Sequence, residues 1–194
     1  MMKLPNILTI FRILLTPVFI LCLFAEFDNA QFWALFIFIV ASITDAYDGY
    51  YARKNDMVTD TGKFLDPLAD KILVSSAFIS FAVMGLIDFW MVTLIIFRDL
   101  FVTGLRVIMS RKGFNMMTSQ IAKSKTSVQI SIIIFTLTIV SLKGINWFIV
   151  TDYLTFVKEY ELVYYLTMVT VLFTLYTGFT YIQENRKAIK EMMN

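Results

Sequence analysis

The chain has 194 residues, 58% of them hydrophobic, and a mean hydropathy of +0.72, which is more apolar surface than a soluble domain of that length can bury. Its 17 basic and 15 acidic residues nearly cancel, so no global field points to nucleic acid. There is no histidine, and the one cysteine, Cys22, lies in an apolar run. Ser-His-Asp triads, Cys-His pairs, thiolate or histidine metal sites and intrachain disulfides are thereby excluded, and any metal is held by oxygen, which favours Mg²⁺ or Mn²⁺.

Apolar stretches run over 7–24, 32–51, 64–86, 89–109, 127–142 and 161–182, each near the ~20 residues that a spanning helix needs. They predict an all-α polytopic membrane protein with six transmembrane helices. Ahead of the first, Lys3-Leu4-Pro5-Asn6 reads as a short interfacial lead-in with Asn6 as a candidate cap. Asn6, Thr9 and Arg12 recur every three residues, and capping with snorkelling competes with a contact to a site as their role. No repeat or long linker divides the chain, so residues 1–194 are expected to form one membrane domain.

Basic residues set the orientation. One set of connections carries Lys3, then Arg53, Lys54 and Lys63, then Arg111, Lys112, Lys123 and Lys125, and lastly Arg186, Lys187 and Lys190; the other set has only Lys143 and Lys158. By the positive-inside rule both termini are cytoplasmic. Arg12, Asp45, Asp48, Asp66, Asp70, Lys71, Arg98, Asp99 and Arg106 fall within or at the edges of apolar stretches, on the side assigned to the cytoplasm. Charges at such depth are expected to face the bundle interior or a water-filled cavity, which predicts one polar site on that side of the membrane.

At the cytoplasmic ends of the second and third spans, Asp45 and Asp48 are three apart, and Asp66 and Asp70 four apart. Each pair therefore lies on one helix face, and two antiparallel helices joined by a short loop can aim four carboxylates into one space. Carboxylates that close cannot all stay ionised without a counter-charge, and divalent cations supply one while also binding phosphate. Gly49 and Ala52 leave room on the Asp45/Asp48 face, and Arg53 follows with a guanidinium suited to phosphate. Singly, an aspartate here reads as a cap, the two small residues as a packing seam, and Lys71 as snorkelling or pairing with Asp70. The four aspartates in facing pairs are not explained that way.

The string Asp45-x2-Asp48-Gly49-x2-Ala52-Arg53-x8-Gly62-x3-Asp66-x3-Asp70 resembles the complete signature of the CDP-alcohol phosphatidyltransferases. The stretches LPNILTIFRILLTPVF, ASITDAYDGYYARK, GKFLDPLADKILV, FRDLFVTGLR and AKSKTSVQ extend the resemblance over roughly residues 3–130; the last two spans look like generic membrane helix. The resemblance implies a six-helix fold, a homodimer in the bilayer of the cell membrane, and a site open to the cytoplasm. It also implies that Asp45, Asp48 and Asp66 hold one Mg²⁺, that Asp45, Asp66 and Asp70 hold a second, and that Asp70 is the general base. Gly49, Ala52 and Arg53 would bind the CDP moiety, with Thr59 a further candidate. The substrates implied are CDP-diacylglycerol and glycerol 3-phosphate, giving phosphatidylglycerophosphate and CMP. Two positions depart from the pattern: Ala122 stands where a glycine is expected before Lys-x-Lys-Thr, and Asp99 where a glutamate usually follows the arginine.

The candidate acceptor residues are basic. Arg98 and Arg106 are eight apart, on one face of the fourth span and about 12 Å apart along its axis, and Lys123 and Lys125 lead into the fifth from the same side. Converging cations favour a dianionic phosphate on a small acceptor, against a competing role in topology and snorkelling. The rival readings are the same chemistry with phosphatidylglycerol, serine or an inositol phosphate as acceptor, and a carboxylate-lined cation transporter. Transport calls for polar residues along a path across the membrane and for inverted repeats.

Overall fold

The structure is a computed structural model that describes residues 4–54, 60–112, 120–142 and 148–193. Within these, the described residues are helical apart from short turns. The helices are α1 (Leu4–Phe24), α2 (Ala30–Lys54), α3 (Asp60–Val83), α4 (Phe89–Arg111), α5 (Gln120–Leu142), α6 (Phe148–Glu159), α7 (Leu162–Glu184) and α8 (Arg186–Met193). The all-α expectation holds, and the six expected stretches fall on α1 to α5 and α7.

The helices run past the apolar windows that announced them. α5 begins at Gln120 rather than near 127, and α2 ends at Lys54 rather than near 51, because backbone hydrogen bonding continues through polar residues that a hydropathy window excludes. α6 falls inside what the sequence presented as a connection. Twelve residues are too few to cross a bilayer. Val157 is buried and Val150 and Leu154 half-buried, while Thr151, Asp152, Thr155 and Lys158 are exposed, the pattern of a helix lying at a surface.

The turns explain the antiparallel packing. Gly85 sits at φ 70°, and Leu86 N donates to Phe81 O at 3.0 Å while Gly85 N donates to Ala82 O at 3.0 Å. This closes α3 with a left-handed residue that only glycine adopts without strain and sends the chain back as α4. Asn29, at φ 59°, is the left-handed residue that immediately precedes α2, its carbonyl accepting from Trp33 N at 3.1 Å.

α1 packs against α2 and α3, α5 lies against α2, α3 and α7, and α4 lies against α3 and α7. Phe19, Phe38, Phe78, Phe81, Met91 and Ile133 are fully buried at the centre, with the Phe19 and Phe38 rings 5.7 Å apart. Against this core α7 presents Thr167, Thr170, Thr174, Thr177 and Gly178, all buried. Such a small-residue face allows close helix approach, and Thr167 and Thr170 satisfy their hydroxyls on carbonyls one turn back.

The core is apolar, but several exposures are the reverse of those in a water-soluble bundle. Leu21 is 71% exposed, Phe97 63% and Phe179 67%, whereas Arg12 is 0% and Lys125 5% exposed. Among the described residues two helices, Ser124–Leu142 and Leu162–Glu184, are long and apolar enough to cross a membrane. Ile10–Phe24, Ala30–Thr44 and Lys71–Val83 are shorter apolar lengths of α1, α2 and α3.

Candidate functional site

A cluster of charge forms where α4, α5 and α7 meet. Arg98 and Asp99 come from the middle of α4, and Lys125 from the second turn of α5. Asp99 Oδ1 accepts from Arg98 Nη1 at 3.3 Å and from Lys125 Nζ in a short ion pair. Asp99 and Lys125 are buried and Arg98 is half-buried, so this carboxylate is the counter-ion that makes burial of two cations tolerable. Asp99 departs from the glutamate expected at its position, and here it is the shared partner of both cations.

α7 completes the cluster. Arg98 Nη2 donates to Thr177 Oγ1 at 3.0 Å. Eight residues along α4, Arg106 Nε donates to Tyr181 Oη at 3.3 Å, and its guanidinium carbon lies 5.5 Å from the Tyr181 ring centroid. Since Arg98 meets Thr177 and Arg106 meets Tyr181, α4 and α7 run in the same direction, with their C-terminal halves and the start of α5 at one end of the bundle. The chemical capacity is anion binding. In this cluster Arg98, Lys125 and Arg106 face one described acid, Asp99, and guanidinium N–H groups beyond those already engaged remain to meet phosphate oxygens.

The sequence placed Arg98, Arg106, Lys123 and Lys125 toward one site, and the structure brings Arg98 and Lys125 onto one carboxylate, with Arg106 about two turns further along α4. Lys123 lies on α5, but its side chain is outside the described residues. Thr177, Gly178 and Tyr181 were missed, since α7 read as generic membrane helix. Their only signal was spacing: Thr174, Thr177, Gly178 and Tyr181 recur at three and four residues and so share one helix face.

Asp45, Asp48, Gly49, Ala52 and Arg53 lie on the C-terminal half of α2, and Asp66 and Asp70 on the N-terminal half of α3. Both segments are continuous helix, as the three- and four-residue spacing requires. The side chains of these residues lie outside the described residues, as does Thr59 altogether. Among the described residues no three Asp, Glu, His or Cys side chains gather into a metal-binding group, so a metal reading rests on the four aspartates. Their donor chemistry fits a hard divalent cation, since carboxylate oxygen is what such ions prefer. Of the N-terminal motif, Arg12 is fully buried, with Thr16 donating to its carbonyl at 3.0 Å. The side chains of Asn6 and Thr9 lie outside the described residues.

Comparison with known proteins matches residues 2–178 to the family model described as CDP-alcohol phosphatidyltransferase, a family generally dependent on a divalent metal. The CDP-diacylglycerol–glycerol-3-phosphate 3-phosphatidyltransferase of Bacillus subtilis (strain 168) is 37% identical over 207 residues, covering 98% of each chain. The enzyme of the same name from Rickettsia bellii (strain RML369-C) is 37% identical over 187 residues, covering 95% of this chain and 96% of its own. A probable phosphatidylglycerophosphate synthase of Mycobacterium tuberculosis (strain ATCC 25618 / H37Rv) is 42% identical over 130 residues, covering 66% of this chain and 62% of its own.

Proposed function

We propose that this chain, which belongs to the CDP-alcohol phosphatidyltransferase family, transfers the phosphatidyl group of CDP-diacylglycerol to glycerol 3-phosphate, giving phosphatidylglycerophosphate and CMP. The observation that carries the acceptor is the surplus of cations where α4, α5 and α7 meet: Arg98, Lys125 and Arg106 with Asp99 as their described counter-ion. A dianionic phosphate balances such a cluster better than serine does. Relatives that carry this reaction in their names align with nearly the whole chain.

In this reading Arg98, Arg106, Lys123 and Lys125 bind the acceptor phosphate, and Gly49, Ala52, Arg53 and Thr59 bind the CDP moiety. Asp70 takes the proton from the acceptor hydroxyl as its oxygen bonds to the lipid-proximal phosphorus, and the bond from that phosphorus to CMP breaks with its electron pair leaving on CMP. Asp45, Asp48, Asp66 and Asp70 hold the divalent cations, two Mg²⁺ or Mn²⁺, which when bound supply positive charge to the pyrophosphate and to the departing phosphate.

The same reading makes the chain one membrane domain with six spans, α1 to α5 and α7, both termini and the site on the cytoplasmic side, and α6 and α8 at the membrane surfaces. The asymmetry of Lys and Arg between the two sets of connections supports that orientation. The assembly is a homodimer in the cell membrane, with the acyl chains of CDP-diacylglycerol left in the bilayer.

The test is transfer of labelled glycerol 3-phosphate into a lipid extract by the purified protein in detergent micelles. Labelled lipid is expected only with CDP-diacylglycerol and a divalent cation present, and is lost with EDTA. Full incorporation in a metal-free preparation contradicts the metal reading, and no incorporation under any condition contradicts the reaction.

A further inference from the structure

Arg98 does not reach the cluster unaided. Its shaft crosses α7 directly over Gly178: a Cβ built on that glycine would stand 3.0 Å from Arg98 Cγ and 3.1 Å from Arg98 Nε. A Cβ there is tight enough that the arginine shaft must shift by a few tenths of an ångström to admit it. One residue earlier, the Thr177 hydroxyl donates its own proton to Thr174 O at 2.9 Å. Its oxygen is thereby left as an acceptor, and Arg98 Nη2 uses it at 3.0 Å. A turn further on, the fully buried Tyr181 receives Arg106 through both its hydroxyl and its ring. Among the described residues Arg98 Nε is buried with no hydrogen-bond partner, so the shaft is held by shape at Gly178 while the Nη end is held by Asp99 and Thr177. A long flexible side chain fixed at both ends has lost its rotamer freedom before any ligand arrives, and that is how a site gains affinity from preorganisation.

We propose that Thr177, Gly178 and Tyr181 on α7 are positioning residues that hold the Arg98 and Arg106 guanidinium groups for the phosphate of the acceptor, making α7 a specificity-determining element. The inference rests on the acceptor reading given above and adds that the last long helix, not only α4 and α5, sets acceptor recognition. A helix serving only as a packing seam would also bury small residues, but it has no need of a hydroxyl whose proton is committed elsewhere and whose oxygen faces an arginine.

The test is steady-state kinetics on the full-length protein, each substrate varied in turn, with thermal unfolding of every variant. Thr177→Val keeps the shape and removes the acceptor oxygen. It is expected to raise KM for glycerol 3-phosphate about fivefold or more, with kcat and KM for CDP-diacylglycerol within about twofold. Thr177→Ser restores the oxygen and is expected to bring KM for glycerol 3-phosphate back to within about twofold of wild type. Gly178→Ala should raise the same KM, and in an Arg98→Ala background it should add nothing, because the group it displaces is gone. If Arg98→Ala raises that KM while Thr177→Val leaves it unchanged, or if Thr177→Ser fails as Thr177→Val does, the positioning role is overturned and the acceptor reading stands. Additive effects of Gly178→Ala and Arg98→Ala, or a fall in kcat tracking lost thermal stability, overturn it in favour of packing. An unchanged KM in Arg98→Ala overturns the acceptor reading and the inference together.

Discussion

Asp99 is the residue on which the described charges depend. Its Oδ1 is shared by Arg98 and Lys125, so removing either cation leaves the other with a full carboxylate, whereas removing Asp99 leaves a buried lysine and a half-buried arginine facing each other. Arg98→Ala and Lys125→Ala are therefore expected to fold and to show their loss in acceptor binding. We expect KM for glycerol 3-phosphate to rise about tenfold or more, ~1.4 kcal/mol, with KM for CDP-diacylglycerol little changed. Unchanged values in both variants contradict the acceptor role. Asp70→Asn should lower kcat about a hundredfold or more while CDP-diacylglycerol binding, measured by titration, changes far less; near-wild-type kcat would assign the base to another group. The helical placement of the aspartates was legible because three- and four-residue spacing carries its own geometry, and that of Arg98 and Arg106 because eight residues return to one helix face. Thr177 and Tyr181 were not, because their partners stand 79 and 75 positions away in the chain, and a threonine in an apolar helix has the look of a packing residue wherever it falls.

At the scale of elements, the described connections between α1 and α2 and between α3 and α4 each hold one residue in left-handed conformation. Gly85 is the clearest: its φ is 70°, and a Cβ there would meet nothing within 4 Å. Gly85→Ala should thus destabilise through backbone strain alone, by about 1–2 kcal/mol, and leave both KM values unchanged because the turn lies at the opposite end of α4 from Arg106. Thermal or denaturant unfolding in detergent checks it, and wild-type stability would mean that the turn relaxes at no cost. The long helices were readable from apolar runs, since a bilayer demands length and hydrophobicity at once. The start of α5 was hidden by Lys123, Ser124 and Lys125, residues that a hydropathy window counts against a span although their backbone is helical. α6 was hidden because an amphipathic helix of 12 residues carries neither signal strongly.

Over the whole molecule, large apolar side chains such as Leu21 and Phe179 are exposed on the periphery while Arg12, Asp99 and Lys125 are buried, a placement that suits an apolar solvent around the bundle. The charged residues brought together by α4, α5 and α7 run from the middle of α4 into its C-terminal half, the half nearer the start of α5, a placement the enzyme reading calls for. Selection of a phosphorylated three-carbon acceptor by this site is tested by acceptor competition. Purified protein with CDP-diacylglycerol and Mg²⁺ is given glycerol 3-phosphate, serine, phosphatidylglycerol or an inositol phosphate, and kcat/KM is measured for each. The value for glycerol 3-phosphate is expected to lie about tenfold or more above that of every other acceptor; an equal or higher value for any of them overturns the acceptor assignment.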